Sequence, residues 1–179
     1  MARKSFTPLV SAFLLISTDT SQTAANMRSF IEAVRKNASV VYIGSVKEVQ
    51  VLTRTKFDIK ARAVVDVLAI ARGSENPRQA TLKYSSFDYR TPMLEGGPQY
   101  QLKPGIKVVV FANSFASTIP PGYLLQGSSG ELLQRLTALR DSLSKMSPDQ
   151  LKVNEINEED RRIQLELYKT LSAYFRTSK

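Results

Sequence analysis

Residues 38–52 read ASVVYIGSVKEVQVL, a run dense in β-branched residues with a glycine, Gly44, at its centre. Branched side chains pack well on a pleated surface, so the run predicts a strand. A glycine inside a strand gives up packing and costs backbone entropy, and therefore points to a bulge, a bend or the close approach of another backbone. The next run, KFDIKARAVVDVLAIA at 56–71, alternates. Phe57, Ile59, Ala61, Ala63, Val65 and Val67 take one parity, and Lys56, Asp58, Lys60, Arg62 and Asp66 take the other. Such alternation predicts a strand with one face buried and one in water. Only a short polar stretch, Thr53-Arg54-Thr55, separates the two runs, so they are expected to pair as an antiparallel hairpin. Gly44 then marks the bend that lets one strand serve two sides of a curled sheet, with Val41 and Ile43 before it and Val49 and Val51 after it read as one face.

Further strands follow on either side of turn formers. Gly73, Ser74, Asn76 and Pro77 end the second run, and QATLKYSS at 79–86 alternates again as a third strand. Residues 87–104 have no clear period and contain Pro92, Gly96, Gly97, Pro98 and Pro104. They read as a long loop, and loops of that length inside a compact domain are more often functional than accidental. IKVVVFANS at 106–114 is a fourth, strongly apolar strand, and GYLLQG at 122–127 a short fifth. Upstream, Met27, Phe30, Ile31 and Val34 recur at helical spacing, and Asn37 ends that helix.

The last third changes period from two to about 3.6. Ser128 and Glu131 form a capping box, after which Leu132, Leu136, Leu139, Leu143 and Met146 make one apolar stripe. Ser147-Pro148 restarts a helix, which KVNEIN interrupts. Asn157, followed by Glu158, Glu159 and Asp160, starts another, with acidic residues at the positive dipole end and Ile163, Leu167, Leu171 and Tyr174 as its stripe. The expected fold is mainly β with helical additions: a five-stranded barrel over residues 26–128 with amphipathic helices from 129–179 packed on it.

Three stretches resemble the tissue-inhibitor-of-metalloproteinases-like, or netrin-module-like, OB-fold proteins. ASVVYIGSV is similar to their first barrel strand, VVDVLAIARG to a second strand ending in a basic residue and glycine, and YQLKPGIKVVVFANS to a glycine turn feeding an apolar strand. The resemblance covers residues 27–127 and implies a five-stranded OB-fold Greek-key barrel. It also meets a departure. Inhibitors of that group chelate a protease zinc through an N-terminal cysteine, and this chain has no cysteine, so that mechanism does not carry over.

The absence of both His and Cys removes Ser-His-Asp and Cys-His triads, the usual zinc sites and thiol redox chemistry together. Ser142 and Lys145 have the S-x-x-K spacing of serine-lysine hydrolases but lack the companion motifs. Glu158, Glu159 and Asp160 have no EF-hand spacing around them. No catalytic residue, metal ligand or cofactor is expected. What remains is a surface: Lys56, Lys60, Arg62, Lys83 and Lys107 are expected to face outward as a basic face, accompanied by the aromatic residues Tyr84, Phe87, Tyr89 and Tyr100. Aromatics beside cations suit stacking on bases or sugars. Core or loop-anchoring roles are the alternative for them.

The chain of 179 residues carries a net charge of +9, and nearly all of the excess lies before residue 129. A basic excess attracts anionic partners. Arg3 and Lys4, the apolar run Leu9 to Ile16 and small residues up to Ala25 have the three-part pattern of a secretory signal peptide, residues 1–25. A retained anchor or an unstructured leader are the alternatives. The pattern predicts a periplasmic or secreted, non-enzymatic binding module whose partner is a protein or an anionic polymer of the cell envelope, held by the basic face. The alternative is an OB-fold nucleic-acid-binding protein, which charge and fold favour and the export pattern opposes.

Overall fold

The computed structural model describes residues 32, 35–56, 58–87, 100–119 and 123–177, for Phe87 the backbone only. The signal-like segment, the apolar positions Met27, Phe30, Ile31 and Val34, the residues Phe57 and Tyr89, and most of the long loop lie outside these. Six strands form one curled sheet: β1 (Val40–Arg54), β2 (Asp58–Arg72), β3 (Gln79–Phe87), β4 (Lys107–Ala112), β5 (Ala116–Ile119) and β6 (Leu124–Gly127). The order across the sheet is β5-β3-β2-β1-β4-β6. All neighbours are antiparallel except β3 and β5. The two outermost strands, β5 and β6, are consecutive in the chain. Three helices follow, α1 (Ser129–Ser144), α2 (Pro148–Val153) and α3 (Glu158–Thr177). The strand β5 was not expected from the sequence; its four residues, ASTI, are too short and too polar to show a period.

The sheet buries two layers, one on each face. Its concave side holds Tyr42, Val46, Ala61, Ala63, Val65, Leu82, Val108, Val110, Ile119 and Leu124. Its convex side, over the first half of β1 and over β4 and β6, holds Val41, Ile43, Val109, Phe111 and Leu125 against Leu132, Leu136, Leu143, Leu167, Tyr168, Leu171 and Phe175 of α1 and α3. Each Val, Leu, Ile or Phe among them, taken fully out of water, contributes about 1.5–3 kcal/mol. That is why VVYI and KVVVFA are apolar without alternation: both of their faces are covered.

Gly44 lies at a register break between β1 and β2. A Cβ at this position would fall 2.2 Å from Val65 Cγ1 and 3.0 Å from the carbonyl oxygen of Asp66. The glycine is therefore required by the close approach of β2. Register breaks fall between Ile43 and Gly44 and between Val46 and Glu48. The second break corrects one expectation. It swaps the parity of β1, so Val41 and Ile43 face the helices whereas Val49 packs on the concave core. Likewise, Leu68 is the extra residue opposite Ile43 and Gly44, and beyond it Ala69 and Ala71 turn to the helix side.

The helices begin where their caps predict. Ser128 and Glu131 make the reciprocal capping box of α1, Ser147 and Gln150 that of α2, and Asn157 Oδ1 accepts from the Asp160 N–H at 2.8 Å. The α1 stripe buries Leu132, Leu136 and Leu143 as expected. The α3 stripe is rotated: Ile163 is 46% exposed, and the buried face is Gln164, Leu167, Tyr168, Leu171, Ser172 and Phe175. Gln164 and Tyr168 lie in it where they meet Glu32 of the N-terminal helical residues, whereas the buried Ser172 hydroxyl has no hydrogen-bond partner among the described residues. Glu32 accepts from Tyr168 Oη at 2.8 Å and from Arg35 at 2.9 Å, and its carbonyl accepts from Gln164 Nε2 at 3.2 Å. Arg35 lies over the Phe111 ring, 5.5 Å from its centroid. Burial pushes the Tyr168 hydroxyl well above its ordinary range, so it stays protonated and donates. Glu32 and Arg35 are thus buried as a pair.

Candidate binding face

Among the described residues, no helix covers the convex side of the second half of β1, the first half of β2 and β3. Cross-strand partners share a face, so the register fixes what stands there. One row runs Gln50, Arg62, Lys83 and Thr118 across β1, β2, β3 and β5, and the neighbouring row runs Thr53, Lys60 and Ser85. Lys60, Arg62 and Lys83 are exposed and adjacent, as the alternation predicted. Arg62 and Lys83 stand directly opposite each other, an arrangement of like charges that costs stability. Arg62 eases it by reaching over β1, where it donates to Gln50 Oε1 at 2.8 Å. None of the three makes an ion pair among the described residues. Asp66, further along the same face, accepts from Gln79 Nε2 at 2.8 Å.

The other expected members divide. Lys56 is exposed in the turn between β1 and β2. Lys107 stands apart from the cluster: it is half-buried on β4, and its Nζ donates to Ser129 Oγ at 2.7 Å at the start of α1. There it lines a separate open groove of about 540 Å³ with Lys103, Pro104, Ile106, Gly127 and Ser129. Parity within β4 put Lys107 on the outer face correctly; the helix then covers that part of the face. Tyr84 and Tyr100 point into the concave core and meet edge to face, with ring centroids 6.0 Å apart. Burial raises the Tyr84 hydroxyl above its ordinary value. These two rings anchor the end of the long loop, where the Tyr100 N–H donates to Ser86 Oγ at 3.0 Å. They offer no stacking platform on the convex face. The Phe87 side chain and Tyr89 lie outside the described residues.

Gln50 is the site residue that the sequence did not single out. It sits on the same side as Arg62 only because of the register break at Lys47, which leaves no trace in composition. Among the described residues, no group of three or more Asp or Glu side chains converges as a metal site, and no helix is long and apolar enough to cross a membrane. No family model, no curated protein and no solved structure matches this chain.

Proposed function

We propose that the chain is a non-enzymatic binding module built on an OB-type barrel, exported by its N-terminal signal-like segment, and that it holds an anionic polymer or an acidic protein surface of the cell envelope on Lys60, Arg62 and Lys83. The observation that carries this reading is the cluster itself: three cations side by side, without a carboxylate partner among the described residues, two of them placed where they repel each other. A protein without use for such a cluster gains by neutralising it. The OB-type reading draws support from the strand order. If β5 and β6, joined through residues 120–123, act as one interrupted strand that pairs with β3 at its start and β4 at its end, the order becomes that of a five-stranded closed barrel. Such barrels serve as binding platforms, and the fold alone assigns no ligand. The burial of Tyr84 and Tyr100 weighs against single-stranded nucleic acid, which asks for exposed rings.

Titration with polyphosphate tests the reading. Binding is expected to weaken steeply with salt and to fall at least roughly tenfold in Lys60→Glu plus Arg62→Glu. Binding unchanged in that double variant would sink the proposal, and a marked preference for a single-stranded oligonucleotide over polyphosphate would promote the nucleic-acid alternative. Cell fractionation checks the export part: the protein is expected in the envelope or medium, shortened near Ala25.

A further inference from the structure

The exposed hairpin half has a second unusual feature, at its edge. β4 pairs with β1 only over Val40–Ser45. At Val46 the turn before β4 takes the last bonds: the Val46 N–H donates to the Ile106 carbonyl at 2.9 Å, and the Gly105 N–H donates to the Val46 carbonyl at 2.7 Å. Beyond it, Lys47–Thr53 continues as a strand that, among the described residues, is paired with β2 alone. Its other edge is a row of backbone donors and acceptors, the template by which an extended chain is added to a sheet. Register breaks, one of the usual guards of such edges, fall here at the two ends, between Val46 and Glu48 and between Val51 and Thr53. Between them, Glu48, Val49, Gln50 and Val51 lie in regular register against Val64, Ala63, Arg62 and Ala61, a straight length of about 13 Å.

The two faces of this edge differ in chemistry. On the concave side stand Val49 and Val51, the latter 47% exposed. On the convex side stand Glu48 and Gln50, with the Arg62 guanidinium already drawn over β1 toward the edge beside Gln50 and Lys60 and Lys83 behind it. We propose that this edge takes an additional strand from another protein, an extended segment in which apolar side chains alternate with acidic ones. The apolar residues of the added strand would meet Val49 and Val51, and the acidic ones Gln50 and Arg62, away from Glu48. A second copy of this chain fits the edge poorly, because pairing would bring Lys47, Lys60 and Arg62 of both copies together. The inference rests on the basic-face reading above and gives its ligand a form.

The probe is the capped peptide Thr-Val-Glu-Val-Glu-Val-Glu-Thr, compared with the same peptide N-methylated at alternate amides. The two carry equal charge, but only the first has its full set of strand donors. The full-length protein is used unaltered, with polyphosphate as a reference anion. The expected result is an affinity at least roughly tenfold lower for the N-methylated peptide, together with slowed hydrogen exchange at amides within Glu48–Val51 on binding the parent. Equal binding of both peptides, or binding of polyphosphate but of neither peptide, overturns strand addition and leaves the basic face standing. Polyphosphate binding that ignores Lys60→Glu plus Arg62→Glu removes the basic face itself. Self-association that protects the same amides without peptide overturns the choice of occupant in favour of a second copy.

Discussion

The two halves of this sheet are built from the same strands and serve opposite ends. Over the first half of β1 and over β4, side chains are buried on both faces, and the charges nearby have partners: Glu32 pairs with Arg35 and Lys36 with Asp160 at 2.6 Å, while Arg72 donates to the Lys36 and Ala38 carbonyls and Lys107 to Ser129 Oγ. Over the second half of β1 and the start of β2, one face is in water and Lys60, Arg62 and Lys83 stand without ion-pair partners among the described residues. The change from one regime to the other occurs within a few residues, at Gly44 and the break after Val46. Burial on both faces is confined to the covered side, and the open side carries a repulsive charge cluster and a strand edge that is unpaired among the described residues.

Truncation on each side gives the sharpest contrast. Phe111 is fully buried between sheet and helices, under Arg35, and Phe111→Ala is expected to cost about 3–5 kcal/mol. Val51→Ala, on the open half, is expected to stay within about 0.5 kcal/mol. Urea midpoints for the two variants check this; a Val51 loss comparable to that of Phe111 would mean the edge is covered. At the boundary, Gly44→Ala places a methyl group 2.2 Å from Val65 Cγ1 and against the backbone of Asp66. Because a backbone atom cannot swing aside as a side chain can, the expected cost is about 1–3 kcal/mol. A neutral Gly44→Ala would show that β2 yields there and that the register break does not depend on glycine.

The pairing of charges on the covered side is also a pH signature. The Lys36 ammonium, bonded to Asp160, is the main cause that holds the Asp160 carboxyl below its ordinary value, with the Asn157 N–H helping and partial desolvation opposing. A carboxylate whose folded value is lowered adds stability above the unfolded value and loses it as pH falls through the folded one. The contribution should therefore be complete at neutral pH and vanish on acidification below the normal aspartate range. The pair sits at the rim of the helical layer, with 30% of the Lys36 side chain and 16% of the Asp160 side chain in water, so solvent screening keeps the effect small. Denaturant midpoints followed from neutral to acidic pH are expected to fall less in Asp160→Asn than in the parent. Parallel curves would remove Asp160 from the docking of the N-terminal helical residues.

What could be read in the sequence depended on whether one residue type at one spacing determined the outcome. The β2 alternation placed Lys60 and Arg62 correctly because a single face of that stretch is buried. The caps at Ser128, Ser147 and Asn157 were legible because each is a local bond between near neighbours. The register break at Lys47 was not, since a bulge is settled by the partner strand, and it reversed the reading of Val49 and Val51. The rotation of α3 was hidden for a related reason. Gln164 and Ser172 are polar, and only the buried Glu32 across the interface explains why Gln164 lies inward. Lys107 illustrates the remaining gap: parity gave its face, but which part of that face a distant helix covers is a property of the tertiary fold.

The smallest expected effect bears most directly on function. If Lys83 belongs to a cluster kept for binding, removing its charge relieves the repulsion from Arg62 directly opposite and breaks no ion pair among the described residues. Lys83→Gln should then leave stability unchanged or raise it by about 0.2–1 kcal/mol, while polyphosphate affinity falls and its dependence on salt becomes shallower. Gain of stability with loss of binding is the pattern of a residue retained at a cost to the fold. A loss of more than about 0.5 kcal/mol, beyond what a surface change away from any special feature produces, would instead make Lys83 part of the structure of β3. In that case the open half would differ from the covered half only in exposure, and its charges would carry no argument about a ligand.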